Sequence, residues 1–317
     1  MSKLARQLGL PSIPPALRPS RVMRAMEFPM RAPSTPKGVA PLPRKRTTGA
    51  DYDTEWARSK PARMARAAIV DGPMRLAVAG LASPDRQGAD RLLELEGPVI
   101  FAANHHSHLD TPLLLTSIPE PWRHKIVVGA AADYFFGTRI TGAMSALGIG
   151  AIPIERAKTG RKSADLAAEL IDDGWSLLIY PEGGRSPDGW GQPFRGGAAY
   201  LAARAGVPVV PVHVAGTGRI LRKGRSLPRP SNTSVTFGRA ITPADGENTT
   251  RFAARIEREV AALADEATTD WYSARRRAHR TDSPSLTGPE AGQWRRAWAL
   301  GDRSRRARSR QKRWPEI

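Results

Sequence analysis

The 317-residue chain has no cysteine, which excludes disulfides, thiolate nucleophiles and thiolate metal sites together. Histidine is scarce, at six residues. No stretch reaches the ~18 uncharged apolar residues that a membrane-spanning helix needs. The opening residues are too broken by proline for the apolar core of a secretory signal: Lys3 and Arg6 precede Leu8-Gly9-Leu10-Pro11-Ser12-Ile13-Pro14-Pro15. Acids are nearly missing from both ends. Residues 1–50 hold ten Lys/Arg against one acid, Glu27, and residues 273–317 hold thirteen against four. Between them stand 26 basic and 25 acidic residues, so the net charge of +19 belongs to two cationic arms around a nearly neutral body.

What is present has a clear order. Proline, low apolar content and like charge, as in Arg44-Lys45-Arg46, predict a disordered arm over 1–50. Residues 51–84 read as a helix pair broken at Asp71-Gly72-Pro73. Its Met64, Ile69, Met74, Leu76, Val78 and Leu81 suit docking on a core, the default, or lying in a membrane interface. From Arg91 onward strands and helices alternate. Strands are expected at Leu92–Glu96, Val99–Ala103, Lys125–Gly129, Ala151–Ile154, Ser176–Tyr180, Val209–Val214 and Ser234–Phe237. Helices are expected at Pro112–Ser117, Tyr134–Leu147, Ser163–Asp172, Gly197–Ala205 and Arg251–Ala264. This alternation predicts an α/β domain over 85–272, a largely parallel central sheet flanked by helices. The tail over 273–317 is rich in Arg and Trp; Trp294 and Trp298 beside Arg295 and Arg296 suit an interfacial anchor or a tail docked on its own domain.

Half of the histidines fall in one stretch, Asn104-His105-His106-Ser107-His108-Leu109-Asp110, between a buried-looking strand and a helix whose Pro112 marks a first turn. On a continuous helix, positions five apart point about 140° from each other. His105 and Asp110 can therefore meet only across a turn, where the carboxylate fixes the imidazole tautomer and leaves the other nitrogen as a base. The plainer alternative makes Asp110 an N-cap and puts Ser107 in a local turn. Both readings stay open on this stretch alone. His106-x-His108-x-Asp110 also has metallo-hydrolase spacing, but Thr111 stands where that pattern continues with His, and His124, His213 and His279 are scattered.

Three further stretches carry chemistry. In Tyr180-Pro181-Glu182-Gly183-Gly184-Arg185-Ser186 a strand runs into a glycine pair that lets backbone approach a ligand, with Arg185 suited to a phosphate. Gly150-Ala151-Ile152-Pro153-Ile154-Glu155-Arg156 puts a second cation just past a strand. Val207-Pro208-Val209-Val210-Pro211-Val212 is an apolar strand whose prolines forfeit ladder donors, so an edge or irregular position is expected.

In this order, the four stretches resemble the motifs of the glycerolipid acyltransferases, the 1-acylglycerol-3-phosphate acyltransferase type, over roughly residues 90–245. His105 and Asp110 match the family's His-x4-Asp, Arg156 the Arg that closes its second motif, and Pro211 the proline of its fourth. The third motif is matched with Tyr180 in place of Phe and Gly184 in place of Thr. That second change removes a hydroxyl beside the phosphate site the resemblance implies. A glycerol-3-phosphate acyltransferase-like fold follows from the resemblance. So does acyl transfer from a thioester, carried on coenzyme A or an acyl carrier protein, to the hydroxyl of a lysophospholipid, with no bound cofactor. His105 is then the base, Asp110 its orienting partner, and Arg156, Glu182, Gly183 and Arg185 the acceptor site. The cationic arms suit an anionic membrane surface, which places the chain peripherally on the cytoplasmic side of the membrane. The rival classes are a nucleic-acid-binding protein acting through the arms and a metallo-hydrolase; the neutral body offers the first no basic stripe.

Overall fold

The computed structural model describes residues 49–155, 161–186, 188–221 and 227–288. Most of both arms, and the expectation of disorder for them, lie outside the described residues, as do Trp294 and Trp298.

Among the described residues seven strands form one sheet: β1 (Pro84–Gln87), β2 (Ile100–Ala103), β3 (Ile126–Ala131), β4 (Ala151–Ile154), β5 (Ser176–Ile179), β6 (Val209–Ala215) and β7 (Thr233–Phe237). Their order is β1-β7-β6-β2-β5-β3-β4, parallel except where β7 runs against β6. The sheet's central strands are buried on both faces, which is why they are largely apolar runs. In the central β2, Phe101 and Ala103 pack with Leu113, Leu114, Val210 and Val212 on one face. Ile100 and Ala102 pack with Ala198, Leu201, Val209 and Ile256 on the other.

Ten helices accompany the sheet among the described residues: α1 (Lys60–Ile69), α2 (Arg75–Ala82), α3 (Asp110–Ser117), α4 (Ala132–Phe135), α5 (Arg139–Ile149), α6 (Arg161–Asp172), α7 (Gly197–Ala205), α8 (Thr217–Ile220), α9 (Thr249–Thr268) and α10 (Trp271–His279). The α1–α2 pair is kinked where expected, with Gly72 outside helical geometry and Pro73 following. Val70, Val78 and Ala82 enter the core, while Met64 and Leu76 remain exposed. In α9 the expected stripe of Phe252, Ile256, Val260 and Leu263 is buried.

Two of the expected elements are corrected. Leu92–Glu96 is not a strand: Gly88 turns the chain at φ +75, and a short 3-10 turn, Ala89–Leu92, buries Leu92 and leaves Leu93 exposed. Arg91 pins that turn by donating to the Phe237 carbonyl at 2.9 Å and to Glu266. The strand there is instead β1, whose Pro-Asp-Arg-Gln carries no apolar signal. The single helix expected over Tyr134–Leu147 is two, because Thr138 restarts it with a capping box to Thr141. The proline strand takes the irregular one of the two positions expected of it. β6 is interior, and Pro211 is accommodated by irregular pairing with the segment after β7. Val212 pairs with Phe237 but Val209 with Ile241, one residue out of step, and the Gly238 N–H donates to the Pro211 carbonyl at 2.8 Å. The sequence boundary at 272 also falls inside α10, which is tied to α9 by Arg275–Glu259 at 2.8 Å and Arg277–Asp265 at 2.6 Å.

Candidate active site

β2 delivers the chain to the carboxyl end of the parallel strands, the side on which open α/β sheets bind ligands. Asn104, fully buried, extends the sheet with its side chain: Nδ2 donates to the Val214 carbonyl at 2.8 Å and Oδ1 accepts the Val214 N–H at 2.7 Å. The chain then turns. Asp110 is the first residue of α3, not its cap, since Leu109 holds that position. Its carboxylate reaches backward, and Oδ2 accepts the N–H groups of His106 (2.7 Å) and Ser107 (2.8 Å). The same oxygen lies 2.9 Å from His105 Nδ1. The meeting of His105 and Asp110 across a turn is therefore present. Ser107 is committed to that turn, its Oγ donating to the Leu221 carbonyl and accepting the Leu109 N–H.

Asp110 has no exposed surface. Burial pushes its carboxyl up, but the hydrogen bond and charge of His105, with the Ser107 N–H, outweigh that and hold it below the ordinary aspartate range. The dyad thus keeps a carboxylate beside the ring. His105 is 15% exposed and stacks on Tyr180, with centroids 4.0 Å apart at 18°. The Tyr180 hydroxyl finds Thr111 Oγ1 at 2.8 Å, and burial raises its pKa, so it stays a neutral platform. This explains how Tyr serves where the resembled motif has Phe. Tyr180→Phe is expected to keep turnover within a few-fold and to cost about 1 kcal/mol in urea unfolding, for one lost hydrogen bond.

Glu182 is 2% exposed, and both its oxygens are taken by backbone donors: His105 N–H on Oε1 at 2.8 Å and Gln192 N–H on Oε2 at 2.9 Å. Desolvation raises its pKa to about 7 in spite of those two bonds. It braces the loop that carries the base. Gly183 lies at φ +72, where a Cβ would come within 3.0 Å of the Arg195 guanidinium, and its N–H closes a turn onto the Tyr180 carbonyl. Arg185 stands over the ring of Tyr134, 6.0 Å from its centroid. Tyr134 also stacks on His108 and bonds its Nε2 at 3.0 Å. Burial, then the charge of Arg185, push His108 down to about 4, leaving it neutral. Arg156 lies outside the described residues.

Tyr134 and the stacking role of Tyr180 were not legible in sequence; neither sits at a fixed spacing from His105. The three clustered histidines part company: His105 faces Asp110, His106 lies 3.4 Å from the Asn104 amide, and His108 packs on Tyr134. No three His, Cys, Asp or Glu side chains among the described residues converge as a metal site requires. A cavity of about 560 Å³, lined by Asp51, Asp53, Lys162, Asp165 and Glu169 among others, shares no residue with the dyad.

Residues 84–215, which include the dyad, the Glu182 brace and Arg185, match the family model described as Acyltransferase. That match spans less than half of the chain, and it makes residues 84–215 similar to the acyltransferase family. The chloroplastic 1-acyl-sn-glycerol-3-phosphate acyltransferase BAT2 of Brassica napus is 36% identical over 143 residues, 44% of this chain and 39% of that protein. The human 1-acyl-sn-glycerol-3-phosphate acyltransferase beta is 34% identical over 123 residues, 38% and 43% of the two chains. The chain thus spans less than half the length of these curated relatives. The fold is similar to that of the 1-acyl-sn-glycerophosphate acyltransferase PlsC of Thermotoga maritima. That crystal structure aligns with a TM-score of 0.53 at 20% identity, over 67% of this chain and 84% of that one.

Proposed function

We propose that this protein transfers an acyl group from a thioester to the free hydroxyl of a lysophospholipid, 1-acylglycerol-3-phosphate giving phosphatidic acid. The observation that carries the proposal is the 2.9 Å contact between His105 Nδ1 and the buried Asp110 carboxylate. With Nδ1 engaged, Nε2 is the nitrogen left to take a proton. The acceptor's O–H gives its proton to Nε2, and the oxygen attacks the thioester carbonyl. The tetrahedral intermediate then breaks its C–S bond, and the proton passes from the imidazolium to the departing thiolate. Asp110 stabilises that imidazolium while it exists. A direct attack suits a chain without cysteine. Arg185 binds the acceptor phosphate, with Arg156 as the second cation.

No helix among the described residues is long and apolar enough to cross a membrane. Attraction of the cationic arms to anionic lipid, about 1 kcal/mol for each Lys or Arg near the surface, brings the protein to its acceptor as a peripheral enzyme on the cytoplasmic side.

The test is thioester consumption measured with acyl-coenzyme A and with acyl carrier protein thioesters against a panel of acceptors. The panel comprises 1-acylglycerol-3-phosphate, glycerol-3-phosphate and a lyso-aminolipid without a phosphomonoester. Turnover on the first is the expected result; turnover confined to the last removes the phosphate reading. Arg185→Ala is expected to raise KM for the phosphorylated acceptor roughly 10- to 100-fold, the loss of a hydrogen bond to a charged group, with kcat much less affected.

A further inference from the structure

We propose that residues 282–288, which lie outside the residues matched by the acyltransferase model, act as a strap that positions His105 through Ser186 and the loop over 188–192. The inference rests on the acyl-transfer reading for its chemistry and on hydrogen bonds for its route.

The strap begins from a fixed point, since α10 is held to α9 through Arg277 and the buried Asp265. It docks on the loop in two adjoining places, each involving a glycine. The Leu286 carbonyl accepts the Gly191 N–H at 2.8 Å, and a Cβ on Gly191 would meet Leu286 at 3.2 Å. One turn on, Gly288 lies at φ +84 with its Cα against the Trp190 ring, where a Cβ would come within 2.7 Å. Any other residue at 288 meets both the left-handed backbone and that ring.

From the docking point the contacts run inward on both legs of the loop. On one leg the next residue, Gln192, donates its N–H to Glu182 Oε2 at 2.9 Å, and Glu182 Oε1 accepts the His105 N–H at 2.8 Å. On the other, the Gly189 N–H donates to Ser186 Oγ at 2.8 Å, and the Ser186 N–H donates to the His105 carbonyl at 2.8 Å. The His105 carbonyl is thus held by the loop directly, and its N–H by Glu182, which the loop braces through Gln192. Asp110 fixes the His105 ring, and the loop together with Glu182 fixes the His105 main chain. A misplacement of about 1 Å at a reacting group can cost roughly 10²-fold in rate, so this grip bears on turnover although the strap touches no reacting atom.

The experiment uses the full chain with Gly288→Val, and Trp190→Ala as a second lever that removes a half-exposed ring instead of adding a clash. Amide hydrogen exchange is read at Gly191, Gln192 and His105, and turnover is read alongside. The expected result is exchange faster by roughly tenfold or more at all three amides with unchanged protection in β2 and β5. Turnover should fall roughly 10- to 100-fold in kcat, with KM for the acceptor held. Release of the Gly191 amide with wild-type protection at Gln192 and His105, or with wild-type kcat, overturns the strap as a positioning element. Protection of Gly191 retained in both variants overturns the docking itself. Absence of acyl transfer in the wild-type protein would remove the acyl-transfer reading and leave the exchange result to decide the mechanical relay.

Discussion

His105→Ala is expected to lower kcat by roughly 10² to 10⁴, the usual worth of a general base, with the fold intact. The reason is geometric. The ring contributes one contact to Asp110 Oδ2, whereas the other two donors to that oxygen are the backbone N–H groups of His106 and Ser107, which alanine at 105 leaves in place. The bond from the His105 N–H to Glu182 is likewise independent of the side chain. The turn should therefore survive the loss of the imidazole, and the variant should report on chemistry more than on folding. Pre-steady-state thioester consumption at saturating acceptor is the measurement that isolates the chemical step. Wild-type turnover in this variant would mean that the 2.9 Å pair is structural and that the proton goes elsewhere.

The parts of this fold that sequence exposes are those set by burial on two sides. β2 is apolar at every position and β6 at all but His213, because both faces of the sheet are covered there, and their runs stand out. β1 is the opposite case: an edge strand of polar residues beside β7, made by tertiary pairing and invisible to any apolar pattern. Leu92 misleads for a related reason. A Leu-Leu pair reads as strand, yet one leucine enters the core and its neighbour faces solvent around a glycine turn. At the site, spacing limits His105 and Asp110 to meeting across a turn, and local chain geometry then delivers the pair. What spacing cannot reach is whatever arrives from elsewhere in the chain: the Tyr180 ring under His105, Tyr134 under Arg185, and the Glu182 carboxylate on the His105 N–H. Glu182 shows the limit most clearly. Its place beside two glycines and an arginine suggests a ligand contact, and the fold instead spends both of its oxygens on main-chain donors.

Asp110 should separate orientation from architecture, because two substitutions remove different things. In Asp110→Asn an amide oxygen can occupy the Oδ2 position and keep all three donors, so the turn is retained. A neutral amide, however, no longer stabilises the imidazolium as proton transfer proceeds, and kcat is expected to fall roughly 10²- to 10⁴-fold. Asp110→Ala instead leaves buried N–H groups unpaired, at about 1–3 kcal/mol for each, and should unfold at distinctly lower urea as well as losing turnover. The pH dependence supplies an independent check. The folded Asp110 carboxyl is held below its ordinary value, so its stabilising contribution is present above the unfolded pKa near about 4 and is lost as pH falls through the lower folded value. Urea unfolding across roughly pH 3 to 7 should therefore show the wild-type advantage over Asp110→Asn constant toward neutrality and shrinking in acid. An advantage that grows in acid would mean that His105 and the two backbone donors do not outweigh the cost of burying that charge.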